Sequence, residues 1–273
     1  MKPLASSRGR PATFVRTAVL ACVLSLIVGA CGREPRAAAA ASAPRGRAVG
    51  GLEPGQPPYH IVDVTRGGSV TGRVTVTGDV PRDSVVPVTA DQGLCGSTVR
   101  VPLVERSGSR VANVIVWLAD ARSGKPLPLP RRFELTNERC ALEPRVQAAV
   151  VGGTLNVKNA DPGRHRARFL LAGSDSTVAL VTEHDRGQLV PVQSVLASPG
   201  RLDVRCDAHP WTQAWIQVFD HPYFDVAGRD GQFVMDSVPP GRYRLMAWQE
   251  RLGTAEVEVT VDEGREAKVE VKF

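Results

Sequence analysis

From Val70 onward the sequence keeps returning to one pattern, short runs in which apolar and polar residues alternate, each closed by Gly, Pro, Asp or Asn. Side chains alternate across a strand but recur every 3.6 residues on a helix, so runs of this kind bury one face only as β-strands. Val70, Gly72, Val74 and Val76 alternate with Thr71, Arg73, Thr75 and Thr77. Leu155 and Val157 alternate with Asn156 and Lys158, and Leu202, Val204 and Cys206 with Arg201, Asp203 and Arg205. Ala214, Ile216 and Val218 form one face of a further strand. Val114, Val116 and Leu118 alternate with Ile115 and Trp117, so that run is apolar on both faces and reads as a central strand. No segment carries a helical stripe of useful length. With 26 Gly and 21 Pro among 273 residues, turns are plentiful, and 42% apolar residues exclude global disorder. The expectation is an all-β protein.

The formal net charge is +6, but the segment 1–30 holds Lys2, Arg8, Arg10 and Arg16 and no acid. Without those four the remainder is close to neutral, so the folded part has no broad electrostatic footprint for nucleic acid. Arg131-Arg132 and Arg164-His165-Arg166 are local clusters, read as solvated loops.

The amino-terminal segment 1–30 reads as targeting rather than structure. A basic region ending at Arg16 precedes an apolar run from Thr17 to Ala30, too short to span a bilayer as a helix. Its end, Val28-Gly29-Ala30-Cys31, resembles the bacterial lipobox. That resemblance implies a signal peptide over residues 1–30, lipidation of Cys31 as the mature amino terminus, and tethering to a membrane of the cell envelope. Gly32, where Asp would favour retention at the inner membrane, points to the outer membrane. Residues 31–57, with the Ala37–Ala41 run and scattered Gly, Pro and Arg, read as a flexible tether.

At the carboxyl end, Asp230-Gly231-Gln232-Phe233 and Val238-Pro239-Pro240-Gly241-Arg242-Tyr243-Arg244-Leu245 resemble the carboxypeptidase regulatory-like module, a transthyretin-like (prealbumin-like) β-sandwich. That places the module over residues 220–273. Val257, Val259 and Val261, then Glu263-Gly264, then Val269, Val271 and Phe273 read as a hairpin. Residues 58–98 form an amino-terminal β segment, and Gly68 to Pro81 looks like the first strand of a similar module.

The chemistry-bearing residues lie in the middle. Asn159-Ala160-Asp161-Pro162-Gly163-Arg164-His165 ends one strand, and Cys206-Asp207-Ala208-His209-Pro210-Trp211 ends another. A trigonal blue-copper centre needs two imidazoles and a thiolate, with one His remote in sequence and the Cys and second His sharing a short loop. His165 followed by Cys206-x-x-His209 has that arrangement. The phase agrees. His165 is in register with Ala167 and Phe169, and Cys206 with Leu202 and Val204, so both point inward at one end if their strands pair.

Residues 99–219 resemble the cupredoxin domain, a Greek-key β-sandwich. The resemblance implies copper held by His165, Cys206 and His209, and one-electron transfer or copper handling as the role. It also implies an envelope redox or copper-delivery partner. Two positions depart from the family pattern. Arg166 stands where Asn usually follows the first His, and Thr212 stands where an axial Met is expected. Gln213 is the expected axial oxygen donor in its place. Three cysteines remain in the mature folded part. Cys95 and Cys140 lie outside the ligand loops and form the expected disulfide, stabilising by about 3–4 kcal/mol through loop closure. Pairing of Cys206 with either one would remove the copper site.

There is no G-x-S-x-G elbow, phosphate loop or H-E-x-x-H motif, so a non-enzymatic role is expected. The rival reading is a metal-free pair of β-sandwiches binding carbohydrate or another envelope component. The anchor is directly testable: Cys31→Ser should move the protein from the detergent phase to the soluble fraction. Unchanged partitioning would remove the lipoprotein assignment.

Overall fold

A computed structural model describes residues 57–273; the signal segment, Cys31 and nearly all of the tether lie outside the described residues. The protein is all-β. Among the described residues the helices are two short turns, Gln92–Cys95 and the 3₁₀ turn Ser194–Leu196.

Two β-sandwiches are present. The first packs a sheet of Ala141–Glu143, Arg132–Glu138, Thr154–Asn159 and Leu189–Val192 against a sheet of Val146–Val150, Gln213–Phe219, Gly200–Cys206, His165–Leu171 and Thr177–Glu183. Its core is the inward phase of those strands: Leu135, Leu155, Val157, Phe169, Val204 and Ile216 are all buried. The second sandwich sets Phe224–Val226, Ile115–Leu118, Gly241–Gln249 and Gly253–Val261 against Gln232–Val238, Gly68–Thr75 and Glu266–Lys272. Val70, Val116, Leu118, Phe233, Leu245 and Val261 fill it.

Strand pairing divides the chain differently from the segmentation at residues 99 and 220. The strand Ile115–Leu118, expected in the cupredoxin-like region, lies between Phe224–Val226 and Gly241–Gln249 in the second sandwich. Gly68–Thr75 also belongs there, antiparallel to Gln232–Val238 and parallel to Glu266–Lys272. The second sandwich is thus assembled from segments on either side of the first, because residues 220–273 alone leave their apolar faces uncovered.

The expected carboxyl-terminal hairpin is a corner instead. Gly253–Val261 pairs with Gly241–Gln249, whereas Glu266–Lys272 pairs with Gly68–Thr75 in the opposite sheet. Val259, Val261 and Val271 all face the one core. Two strands with one apolar face each bury more by facing each other across a core than by lying side by side.

A third apolar cluster joins the sandwiches. Ile115, Trp117 and Trp248 from the second meet Val146 and Phe219 from the first, with Trp215 against their rim. The two-faced apolar run around Ile115 thus serves two cores at once. Arg145 lies over the Trp215 ring at 4.8 Å and Arg201 over Trp248 at 4.4 Å. Arg145 Nε also donates to Glu250 Oε1 at 3.0 Å, with both side chains largely buried. Burial raises the Glu250 carboxyl above its ordinary range, and Arg145 opposes the rise. Arg145→Met should therefore cost about 3–5 kcal/mol near pH 8, because it strands a buried carboxylate. Part of the loss should return as the pH falls and Glu250 protonates. Urea denaturation of the variant at several pH values checks both signs.

Candidate metal centre

The centre follows from strand register. His165–Leu171 runs antiparallel to Gly200–Cys206 with Ala167 opposite Cys206, so the two inward-facing donors sit at the same end of the sheet. The chain then turns through Asp207–Thr212 and returns as Gln213–Phe219, antiparallel to Gly200–Cys206. His209, within that turn, folds back over the end of the sandwich. All three donors are buried, with His165 at 1%, Cys206 at 3% and His209 at 0% exposure.

Their donor atoms converge. Cys206 Sγ is 3.8 Å from His165 Nδ1 and 3.6 Å from His209 Nδ1, and the two Nδ1 atoms are 3.1 Å apart. A small first-row cation binds imidazole nitrogen at about 2.0–2.1 Å and thiolate sulfur at about 2.3 Å, lengths that put S and N about 3.8 Å apart at trigonal angles. The nitrogen pair fits the same lengths at an N–metal–N angle of about 100°. The donor set therefore fits one metal ion.

The outer ring nitrogens fit as well. His209 Nε2 lies 2.9 Å from Asp91 Oδ2, and His165 Nε2 faces Asp161 Oδ2 at 3.4 Å. A carboxylate accepts only, so Nε2 of His209 donates to Asp91, and with a metal bound its Nδ1 lone pair would face the site, whereas in the metal-free chain Nδ1–H lies against the Cys206 sulfur; His165 Nε2 approaches Asp161 without a hydrogen bond. Asp161 is fixed by the backbone N–H groups of Arg139 and Cys140, which donate to it at 2.7 and 3.0 Å. Contact with the Cys206 sulfur, then with Asp91, raises the His209 pKa against the opposing effect of burial.

Burial alone would push the Cys206 thiol up. Hydrogen bonding with His165 and His209, joined by the backbone N–H groups of Arg166 and His209, outweighs it and holds the thiol down at about 5. Arg166 thus contributes through its backbone N–H. Its side chain lies on the outer face, 3.6 Å from Asp207.

Gln213 does not belong to this centre. It pairs with Arg205, so it shares the outer face of the sheet, while Thr212 returns on the Cys206 side. The Thr212 hydroxyl donates to the Cys140 carbonyl at 3.0 Å. Met235 and Met246 belong to the second sandwich and to the joint between sandwiches. Cys95 and Cys140 form a disulfide, and Cys206 is free. His60 and His184 are exposed; His221 is buried beside the second sandwich, where burial depresses it to about 3.

Four neighbours escaped the sequence reading: Asp91, Asp161, Asn137 and Glu183. Glu183 sits opposite His165 on the adjacent strand, wholly buried, and accepts from Asn137 Nδ2 at 2.6 Å. Burial pushes it up to about 7, with His165 opposing. Its phase was visible in the sequence, since Glu183 falls in step with inward Val181. Asp161 was visible as the acid of the 159–165 loop. Asp91 carried no signal, being 118 residues from the histidine it meets.

No protein-family model matches the chain, and no curated protein matches it. Solved structures do. A copper-containing nitrite reductase (NirK) from Thermus scotoductus SA-01 matches at 20% identity and a TM-score of 0.29, over 36% of this chain and 24% of that one. The match thus spans about a quarter of the reductase. A point mutant of amicyanin in its reduced state matches at 16% identity and a TM-score of 0.29, over 32% of this chain and 82% of that one. A purple cupredoxin from Nitrosopumilus maritimus matches at 18% identity and a TM-score of 0.27, over 32% of this chain and 99% of that one.

The thiol shift has a definite pH signature in metal-free protein. A depressed folded pKa contributes stability that is full above the unfolded thiol value of 9.0, shrinks as the pH falls, and is gone below about 5. The stability difference between wild type and Cys206→Ser should follow that course. The difference in ultraviolet thiolate absorbance between the two should titrate near pH 5.

Proposed function

We propose that this chain is a lipid-anchored copper protein of the cell envelope, which passes single electrons or holds copper for delivery. The observation that carries the reading is the convergence of two imidazole Nδ1 atoms and one acidic thiol within 3.8 Å of one another, in a buried pocket. A soft thiolate with two imidazoles favours copper over the hard cations that carboxylate sets bind. Bound there, copper supplies a one-electron couple.

The rest is done by the chain. Paired strands hold His165 and Cys206 so that the donors need not move between redox states. Asp91 accepts from His209 Nε2 and so orients that ring, and Asp161 faces His165 Nε2. Cys206 lies on the inward face that Phe169, Leu202 and Val204 share, and its burial keeps water from the sulfur. The second sandwich, similar to the carboxypeptidase regulatory-like module, acts as a rigid neighbour through the tryptophan joint. Cys31 acylation and the 31–57 tether would hold both sandwiches at the outer membrane, within reach of a redox or copper-delivery partner. The role in this reading is non-enzymatic, which is supported by both His Nδ1 atoms and the thiol being turned on one another.

Reconstitution with Cu(II) tests this. A thiolate-bound Cu(II) gives an intense visible charge-transfer band that imidazole-bound Cu(II) lacks. One copper per chain and a visible band are expected. Cys206→Ser should abolish the band, and His165→Ala should weaken binding. Gln213→Ala should leave the spectrum unchanged, since Gln213 is on the outer face. A colourless protein with no tight copper would favour the metal-free sandwich instead.

A further inference from the structure

The segment that covers the outer edge of His209 comes from outside both sandwiches. Ser84–Pro87 and Thr98–Val101 form a two-stranded hairpin that pairs with no other sheet among the described residues. Its tip carries Asp91 and the turn Gln92–Cys95, and from residue 89 to residue 98 nothing is buried. Such a tip has little apolar contact to hold it in place. Two bonds pin it. One is Asp91 to His209 Nε2 at 2.9 Å. The other is the Cys95–Cys140 disulfide.

Cys140 is the fixed end of that clasp. Its carbonyl accepts from Trp211 Nε1 at 3.1 Å and from Thr212 Oγ1 at 3.0 Å, which ties it to the Cys206–His209 loop. Its N–H donates to Asp161, behind His165. The tip also lies on the His165 loop: a Cβ on Gly163 would stand 3.4 Å from Leu94 Cδ2 and 3.7 Å from Asp91 Oδ2. Cys140 is buried, whereas Cys95 is only part-buried on an otherwise exposed turn. A thiol can therefore reach the bridge from the Cys95 side.

We propose that the Cys95–Cys140 bridge is a thiol–disulfide exchange site that controls a strap, residues 89–97, over the metal centre. The proposal rests on the reading of His165, Cys206 and His209 as that centre. The co-substrate class is a dithiol. Its two thiols become a disulfide, and their two electrons and two protons convert the bridge to the Cys95 and Cys140 thiols. With the covalent pin gone, the Asp91–His209 bond and the contact of Leu94 with the Gly163 loop hold the strap. A single hydrogen bond to a half-exposed carboxylate contributes little net stability, so the strap lifts and His209 Nε2 meets solvent. The oxidised clasp closes the centre, and the reduced clasp opens it to metal exchange.

The test reads His209 directly, on the full-length metal-free chain. Diethyl pyrocarbonate acylates exposed imidazole nitrogen, and peptide mass mapping separates the five histidines. His60 and His184 are exposed and serve as references; buried His221, remote from the strap in sequence, reports general loosening. Reduction with dithiothreitol followed by its removal, or Cys95→Ser, should speed His209 acylation on the order of tenfold while His221 stays slow. Asp91→Ala, which keeps the disulfide, should give a smaller rise. Equal His209 rates in oxidised and reduced protein would overturn the proposal. So would a parallel rise at His221, which would mean that reduction loosens the whole fold. The copper-thiolate band of the oxidised protein is a separate readout. Its absence removes the copper reading, whereas unchanged acylation with the band present removes the strap alone.

Discussion

The centre depends on one register, Ala167 opposite Cys206. Because side chains alternate with a period of two, a slip of one residue between His165–Leu171 and Gly200–Cys206 would turn either the histidine or the thiol to the outer face. The core enforces the register. Ala167, Phe169, Leu202 and Val204 lie in the same inward phase as His165 and Cys206, and all are buried. A slip would expose the apolar set of one strand along with its donor, which costs several kcal/mol by area alone, on the order of 1.5–3 per large side chain. The apolar residues that build the sandwich are therefore the ones that aim the donors.

This is why the donor set was legible in the sequence while its surroundings were not. His165 and Cys206 share the phase of visibly apolar residues, so their direction follows from alternation. Gln213 was misplaced because parity runs through a turn: Thr212 returns opposite Cys206, and Gln213 lands on the other face. Distance along the chain said nothing of this; the register did. Asp91 was invisible for a different reason. Its position depends on a hairpin that joins no larger sheet and on a disulfide between cysteines 45 positions apart.

The boundaries of the two sandwiches were harder to read than their strands. The main strands of the second sandwich show alternation, yet Gly68–Thr75 finds one of its neighbours at the far end of the chain, at Glu266–Lys272. Alternation reports that a strand has a buried face, not which strand lies beside it. The apolar doubling of Ile115–Leu118 was the one clue that two cores meet. Val116 and Leu118 fill the second sandwich, and Ile115 and Trp117 fill the joint with Trp248 and Phe219.

Charge around the centre has its own logic. Asp91 and Asp161 stand directly behind the two imidazoles, and Glu183 is a third acid beside His165. The two thioethers of the described residues lie in the second sandwich and the joint, and the Thr212 hydroxyl is committed to the Cys140 carbonyl. An anionic surround with no soft fourth donor stabilises the more positive ion of a one-electron couple. Burial works against charge on Glu183, pushing its pKa up to about 7, and positive charge in the site would draw its proton off more readily. The donors and the acids behind them fit a cation, and what the folded chain lacks in internal countercharge a metal ion would provide.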